Sequence, residues 1–219
     1  MTRHALRYLP ALLGIAMAWP AAAQDAPAAV AAGSPPPAAP APASRQADER
    51  PNGIAVFAGL YSSDVFSDIV TSPWDTRTEN IYLLTLSYNR RITTVFRHLD
   101  IEVEAGAGRR FGDNNSFEGY AALGLRWTYF PWNRYLRTSF AVYPIGPSYV
   151  ADLSPSEVAK DGRSANWLNY FSLELTFAAP ELPELEVLFR LHHRSGAFGA
   201  INGSTNGADF LSVGARYRF

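Results

Sequence analysis

Three side chains near the carboxyl end of the chain are of the types that carry out nucleophilic catalysis. They are His193, Ser195 and Asp209, an imidazole, a hydroxyl and a carboxylate. A serine hydroxyl is a poor nucleophile until a base removes its proton, and the base needs an acidic partner that fixes its tautomer. The set is therefore typical of a serine hydrolase, provided that the fold brings the three groups together.

The spacing of these residues predicts that they share one face of a β-hairpin. In the run that ends at Ser195 the odd-numbered positions are apolar, and His193 and Ser195 continue that row. Residues i and i+2 of a strand lie roughly 6 to 7 Å apart on one face, so His193 and Ser195 are within side-chain reach of each other. Counting back in steps of two from Phe219, the apolar row of the last strand leads to Asp209. A His and a Ser at a strand end are also common as rim residues in the headgroup zone. Polar side chains on a lipid-facing row lower the stability of the barrel and are often functional, which favours a catalytic role over that of rim residues.

The last stretch, residues 191–219, indicates that the shared face contacts lipid. Apolar and polar residues alternate with period two, and the sequence given ends on an aromatic residue, Phe219. We interpret this strand as the closing strand of an outer-membrane barrel, whose outward face is buried in lipid. His193, Ser195 and Asp209 would then lie on the barrel exterior.

The rest of the chain from residue 53 repeats the same pattern and predicts an all-β fold, an eight-stranded antiparallel transmembrane β-barrel. Turn residues separate the runs, and long polar loops (148–166 and 196–207 among them) alternate with short turns. Pro144 and Pro147 predict a bulge or an early end in the fifth run. The runs cover residues 53–62, 79–90, 100–110, 118–130, 137–147, 167–178, 185–195 and the segment that ends at Phe219.

The amino-terminal 52 residues predict export rather than a folded domain. Residues 1–23 carry Arg3 and Arg7, a short apolar core and Ala21-Ala22-Ala23, the pattern of a cleaved signal peptide. Residues 24–52 form a Pro/Ala tract followed by charged residues, a composition that predicts a disordered periplasmic linker. The expected location is the outer membrane of a Gram-negative cell, with the barrel over residues 53–219.

Composition excludes several other classes of function. The net charge of −1 gives no support to nucleic-acid binding, and the absence of cysteine removes thiol chemistry and zinc–thiolate sites. No metal cluster or phosphate-binding loop is evident, and we expect no cofactor. Five charged residues are predicted to pair inside the lumen: Glu102, Glu104, Arg126, Glu174 and Arg190.

The His-x-Ser of the penultimate strand, the acidic residue near the start of the last strand and the terminal aromatic together resemble the PagL-type lipid A 3-O-deacylases. The resemblance covers residues 191–219. It implies an eight-stranded outer-membrane esterase with His193 as general base, Ser195 as nucleophile and Asp209 as third member. Asp209 stands where the family carries Glu, and Gly196 stands where it usually carries Asn. An oxyanion hole would then draw on backbone N–H groups near Gly196, or on Asn202 or Asn206.

Two function classes remain open. The resemblance implies a lipid A deacylase with lipopolysaccharide as substrate, whereas a small barrel of the OmpA/OmpX kind would have a structural or binding role. A solute channel is disfavoured by the low strand number. Expected partners are outer-membrane lipid and, through the last strand, the barrel-assembly machinery, and the oligomeric state is open between monomer and homodimer.

Overall fold

A computed structural model describes residues 50–159, 164–204 and 207–219 of the chain. The predicted signal peptide and nearly all of the predicted linker lie outside the described residues. The described part contains short helices α1 (Phe66–Thr71) and α2 (Pro155–Ala159) and a 3-10 turn at Pro73–Asp75. Its strands are β1 (Asn52–Ser62), β2 (Thr78–Val95), β3 (Leu99–Gly112), β4 (Ser116–Trp127), β5 (Arg137–Ile145), β6 (Pro147–Val150), β7 (Trp167–Ala178), β8 (Leu185–Ser195) and β9 (Ala208–Arg218).

The strands close into an eight-stranded antiparallel barrel, which confirms the predicted fold class. Successive strands pair with one another, and β1 closes the barrel against β9 with Gly53 opposite Arg218. β5 and β6 act as one strand of the barrel with a break at Gly146. The pairing with β4 shifts register just before this break, between Val142 and Ile145. The sequence predicts this interruption from Pro144 and Pro147.

The bounds of most strands follow the alternation, but some differ. β2 runs to Val95, five residues beyond the predicted end at Arg90, and β4 ends at Trp127, three residues before the predicted end at Phe130. β7 and β8 begin and end at the predicted residues. The sequence predicts a loop over residues 148–166, but β6 continues to Val150. Beyond the interruption, Ser148 and Tyr149 pair with both β4 and β7, so the ladder resumes for a few residues before the loop begins.

Paired charges fill the middle of the barrel. The Glu174 carboxylate accepts hydrogen bonds from Arg126, Arg190 and Arg216, and none of these four side chains is more than 2% exposed. Ionised groups are buried at acceptable cost only when they are paired and hydrogen-bonded. The five residues predicted to pair in the lumen all belong to this network: Glu102, Glu104, Arg126, Glu174 and Arg190.

The outer wall of the barrel is apolar and open. Val56, Leu86 and Phe189, from three different strands, are each at least half exposed. Continuous apolar surface on this scale marks a protein or membrane contact. Trp127 is exposed and is the last residue of β4, and aromatic side chains at strand ends anchor a barrel at the membrane interface. Among the described residues, none of the helices has both the length and the apolar character needed to cross a membrane.

The two ends of the barrel differ. At the short-turn end lie the turns 96–98, 128–136 and 179–184, together with Asn52, whose backbone pairs with that of Phe219. At the loop end lie the connections 63–77 and 113–115, and the described parts of two further connections, 151–159 with 164–166 and 196–204 with 207. Helix α2 belongs to one of these loops and enters the barrel mouth, where the buried Glu157 binds Arg110. Helix α1 belongs to another and lies against the outer wall.

Candidate active site

The barrel brings His193 and Asp209 into direct contact at the loop end. His193 stands opposite Asp209 in the β8–β9 ladder, and His193 Nδ1 lies 2.5 Å from Asp209 Oδ1. Both residues continue the outward rows of their strands, since Val187 and Val213 on the same faces are exposed. The acidic partner therefore reaches the imidazole directly, although it is one methylene shorter than Glu.

Ser195 lies two residues beyond His193 on the same outward face of β8. It stands opposite Asn169 of β7 and is 7% exposed. Within the part of the chain that the structure describes, no hydrogen bond joins Ser195 Oγ to His193. Catalytic hydrogen bonds are often long or poorly aligned in enzymes without substrate and tighten when substrate binds. The spacing of the two residues leaves them within side-chain reach of each other.

The sequence did not reveal that helix α1 covers this part of the outer wall. The Phe66 ring lies 4.7 Å from the His193 ring and 5.4 Å from the Phe171 ring. Ile69 is 1% exposed, and Leu191 is only 8% exposed although it faces outward. The spacing of Phe66, Ile69 and Val70 at i, i+3 and i+4 is a helical signal that a search of the polar loop would have found.

An ion pair between the buried Asp64 and the exposed Arg77 closes the loop that carries α1. The Asp64 carboxylate accepts hydrogen bonds from the backbone N–H and the Nε of Arg77, both at 2.7 Å. Asp64 is 8% exposed, so its two oxygens are largely shielded from water. Charge-assisted hydrogen bonds of this kind are roughly twice as strong as neutral ones. The pair fixes the two ends of the loop and thereby the position of α1.

Between α1 and the barrel wall runs an apolar groove of about 610 Å³. Ile69, Val70 and Pro73 form its outer side, and outward residues of β5, β7, β8 and β9 form its floor. Leu191, which lies two residues before His193, belongs to that floor. The groove therefore extends from the neighbourhood of the His193–Asp209 pair along the outer wall, and its volume falls in the range of about 300 to 1,000 Å³ that is usual for ligand sites.

The residues predicted to support an oxyanion have different environments. A Cβ added to Gly196 would lie 2.0 Å from the Ser204 carbonyl oxygen, so only glycine fits where the β8–β9 loop folds back. Asn202 is exposed in that loop with a φ of +56°. Asn206 lies outside the described residues. The segment after Gly196 is strained, because Ala197 and Phe198 also have positive φ values.

The inward face of β8 fixes the strand that carries His193 and Ser195. Arg194, which lies between them, donates from Nη2 to the backbone carbonyls of Ala165 and Asn166, at 2.7 and 2.8 Å, and also binds Glu157. His192 Nε2 lies 2.7 Å from the Glu118 carboxylate. His192 thus belongs to the lumen. Among the described residues there is no cluster of side chains that could hold a metal ion.

The sequence matches no protein-family model and no curated protein. Among solved structures, the chain is similar to the outer membrane enzyme PagL, with a TM-score of 0.56 and 9% sequence identity over 76% of this chain and 99% of that chain. It is also similar to Ail, the attachment invasion locus protein of Yersinia pestis, with a TM-score of 0.39 and 12% identity over 78% of this chain and 99% of that chain. At such identities the likeness concerns the fold, which is that of a small outer-membrane barrel.

Proposed function

We propose that this protein is an outer-membrane esterase that hydrolyses an ester-linked acyl chain of lipid A. The observation that carries the proposal is the buried pair of His193 and Asp209 on the barrel exterior, with Nδ1 and Oδ1 2.5 Å apart and Ser195 two residues away. A largely buried imidazole–carboxylate pair on a lipid-facing wall is costly for the fold and has a ready use in acyl transfer. The similar structure PagL is described as an outer membrane enzyme, which supports the same class.

In the proposed reaction Ser195 is the nucleophile. Its hydroxyl oxygen attacks the ester carbonyl while His193 Nε2 takes the hydroxyl proton, and Asp209 stabilises the imidazolium through Nδ1. The tetrahedral intermediate then collapses, the bond to the lipid alcohol breaks, and the imidazolium returns the proton to the leaving oxygen. Water, activated by His193 in the same way, releases the acyl chain from Ser195 as a free fatty acid.

The groove beside the pair suits an acyl chain that arrives from the membrane. Moving such a chain from lipid into the apolar groove gains little hydrophobic free energy, because both surroundings exclude water. The groove would therefore contribute orientation rather than affinity, by aligning the ester bond with Ser195. Ile69 and Val70 on α1 would hold the chain against the barrel wall.

The negative charge on the tetrahedral intermediate needs hydrogen-bond donors within about 3 Å. Gly196 follows Ser195 directly, so its backbone N–H is the nearest candidate, and the strained segment 197–199 presents further N–H groups. Asn202 and Asn206 in the same loop are the side-chain candidates. The backbone at Gly196 lies close against Ser204, which fixes the loop. A fixed loop suits an oxyanion hole, because the hole needs hydrogen-bond donors in fixed positions.

A serine-directed fluorophosphonate probe tests the proposal on the full chain folded in detergent. The probe should label the wild-type protein at Ser195, and Ser195→Ala should abolish labelling because the nucleophile is gone. Ser172→Ala, which removes a fully buried serine facing the lumen, is the matched control and should be labelled like wild type. A folded wild-type barrel that takes up no probe would favour the structural or binding barrel instead.

A further inference from the structure

Two neighbouring segments at the short-turn end, the end of the β2–β3 hairpin and the β4–β5 connection, carry arginines and no carboxylates. Residues 89–99 read NRRITTVFRHL and residues 128–139 read TYFPWNRYLRTS, with neither Asp nor Glu in either segment. Three of their arginines are exposed, and we call them the cationic rim: Arg90, Arg97 and Arg134. They lie on the wall formed by β2 to β5, which faces β8 across the barrel. They are at the short-turn end, whereas His193 is at the loop end.

The two segments form one surface. The Thr128 backbone N–H donates to the carbonyl oxygen of His98 at 2.9 Å, and the Thr128 hydroxyl donates to the same oxygen at 3.1 Å. The His98 ring lies 4.7 Å from the Tyr129 ring, so the side chains of the two segments also pack together. Charges carried by the two segments therefore act on the same neighbourhood.

The charge of the cationic rim is not neutralised within the described part of the chain. Arg134 lies over the Tyr135 ring at 4.2 Å, and among the described residues no carboxylate lies within ion-pair distance of Arg90, Arg97 or Arg134. On the other half of this end, Arg218 Nε lies 2.6 Å from the Glu186 carboxylate. Arg50 lies 3.5 Å from Glu184 there.

The surroundings of the cationic rim are those of a membrane interface. Arg90 continues the outward row of β2 after Leu86 and Tyr88, which are both exposed to the medium around the barrel. At the turns themselves Phe96 is 87% exposed and Tyr135 is 69% exposed. Exposed aromatic side chains beside arginines are the combination that anchors proteins at the level of lipid headgroups.

We propose that the cationic rim binds the phosphate groups of anionic phospholipids in the leaflet at the short-turn end. Guanidinium groups bind phosphate in a bidentate manner, and basic residues near an anionic membrane surface gain affinity from its negative potential. A lipid occupant fits better than an acidic protein, because the cations extend directly from a lipid-facing row and stand among exposed aromatic residues. The binding surface is separate from the ester-hydrolysing site and independent of it.

Native mass spectrometry of the full chain folded in detergent tests this proposal. The protein is incubated with equimolar phosphatidylglycerol and phosphatidylcholine, and the ratio of the two retained lipids is measured. Wild type should retain phosphatidylglycerol preferentially, and Arg97→Gln and Arg134→Gln should each lower the ratio by about fivefold, the effect of one basic residue at an anionic surface. Ser195→Ala should leave the ratio unchanged, which separates this result from the esterase proposal.

Arg109→Gln is the matched control, because Arg109 is also exposed and packs on an aromatic ring, at 4.7 Å from Phe117, but stands at the loop end. It should keep the wild-type ratio. Equal retention of the two lipids by wild type, or a loss in Arg109→Gln as large as in Arg97→Gln, would overturn the proposal. Displacement of the lipid by inorganic phosphate would overturn it too, since the surface would then bind the free anion.

Discussion

Replacing Asp209 by Asn changes one atom in the contact that defines the proposed site. Asp209 Oδ1 lies 2.5 Å from His193 Nδ1, and the Asp209 side chain is nearly inaccessible to water. Asn is isosteric, so the β8–β9 ladder should remain intact. The change removes the negative charge that would stabilise the imidazolium during attack by Ser195.

The size of the effect follows from this geometry. Charges centred about 4 Å apart interact by about 4 kcal/mol at an effective dielectric constant of 20, which equals roughly a thousandfold in rate. If the amide nitrogen faces Nδ1, it also favours the wrong tautomer, which extends the loss to about 10⁴-fold. Asp209→Asn should therefore lower kcat by 10³- to 10⁴-fold by this reasoning and leave the KM nearly unchanged.

The assay is hydrolysis of a long-chain ester by protein folded in detergent. Asp209→Glu keeps the charge, and its extra methylene can be taken up by side-chain rotation, so it should retain more activity than Asp209→Asn. Asp113→Asn, which makes the same change in a short exposed loop, is the control and should act like wild type. An Asp209→Asn enzyme within threefold of wild type would refute the assignment of Asp209 as the partner of His193.

Further predictions concern the barrel, the loop and the groove. Glu174→Gln should lower the free energy of unfolding by about 3 to 5 kcal/mol, as breaking a buried pair does, because three arginines lose a shared partner; urea unfolding of the barrel measures this. Gly196→Ala should abolish ester hydrolysis without unfolding the barrel, because its Cβ would lie 2.0 Å from the Ser204 carbonyl oxygen; near-normal turnover would contradict a fixed loop. Ile69→Ala should lower kcat for long-chain esters and leave that for short-chain esters unchanged, because Ile69 lines the groove that orients the chain; a comparison of two chain lengths checks this.

Period-two alternation was sufficient to predict the barrel and the face on which the candidate residues lie. Each strand has one lipid-facing row, so parity assigns His193 and Ser195 to the exterior without knowledge of their neighbours. Parity alone could not predict the contact between His193 and Asp209, because it also permits a register in which Asp209 stands opposite Leu191 or Ser195. That register is set by the length of the β8–β9 connection, which alternation does not describe.

Helix α1 shows where the sequence pattern failed. Its apolar residues, among them Ile69, lie in a stretch that also contains Ser67, Asp68 and Thr71, so the segment resembles a polar loop. A six-residue helix is too short to be stable by itself and forms here because Phe66 and Ile69 pack on the barrel wall. The i, i+3, i+4 spacing of its apolar residues is a local signal for the helix, but the packing of the helix on the barrel wall, and with it the groove, depends on tertiary contacts that periodicity does not describe.

Mass spectrometry of lipid A tests the central claim most directly. Lipid A would be isolated from cells that express the wild-type protein or Ser195→Ala, with equal insertion of the two barrels verified by heat-modifiable mobility. The account predicts that wild type removes one ester-linked acyl chain and that Ser195→Ala leaves the lipid A of the host unchanged. Identical lipid A profiles from the two cultures would contradict it.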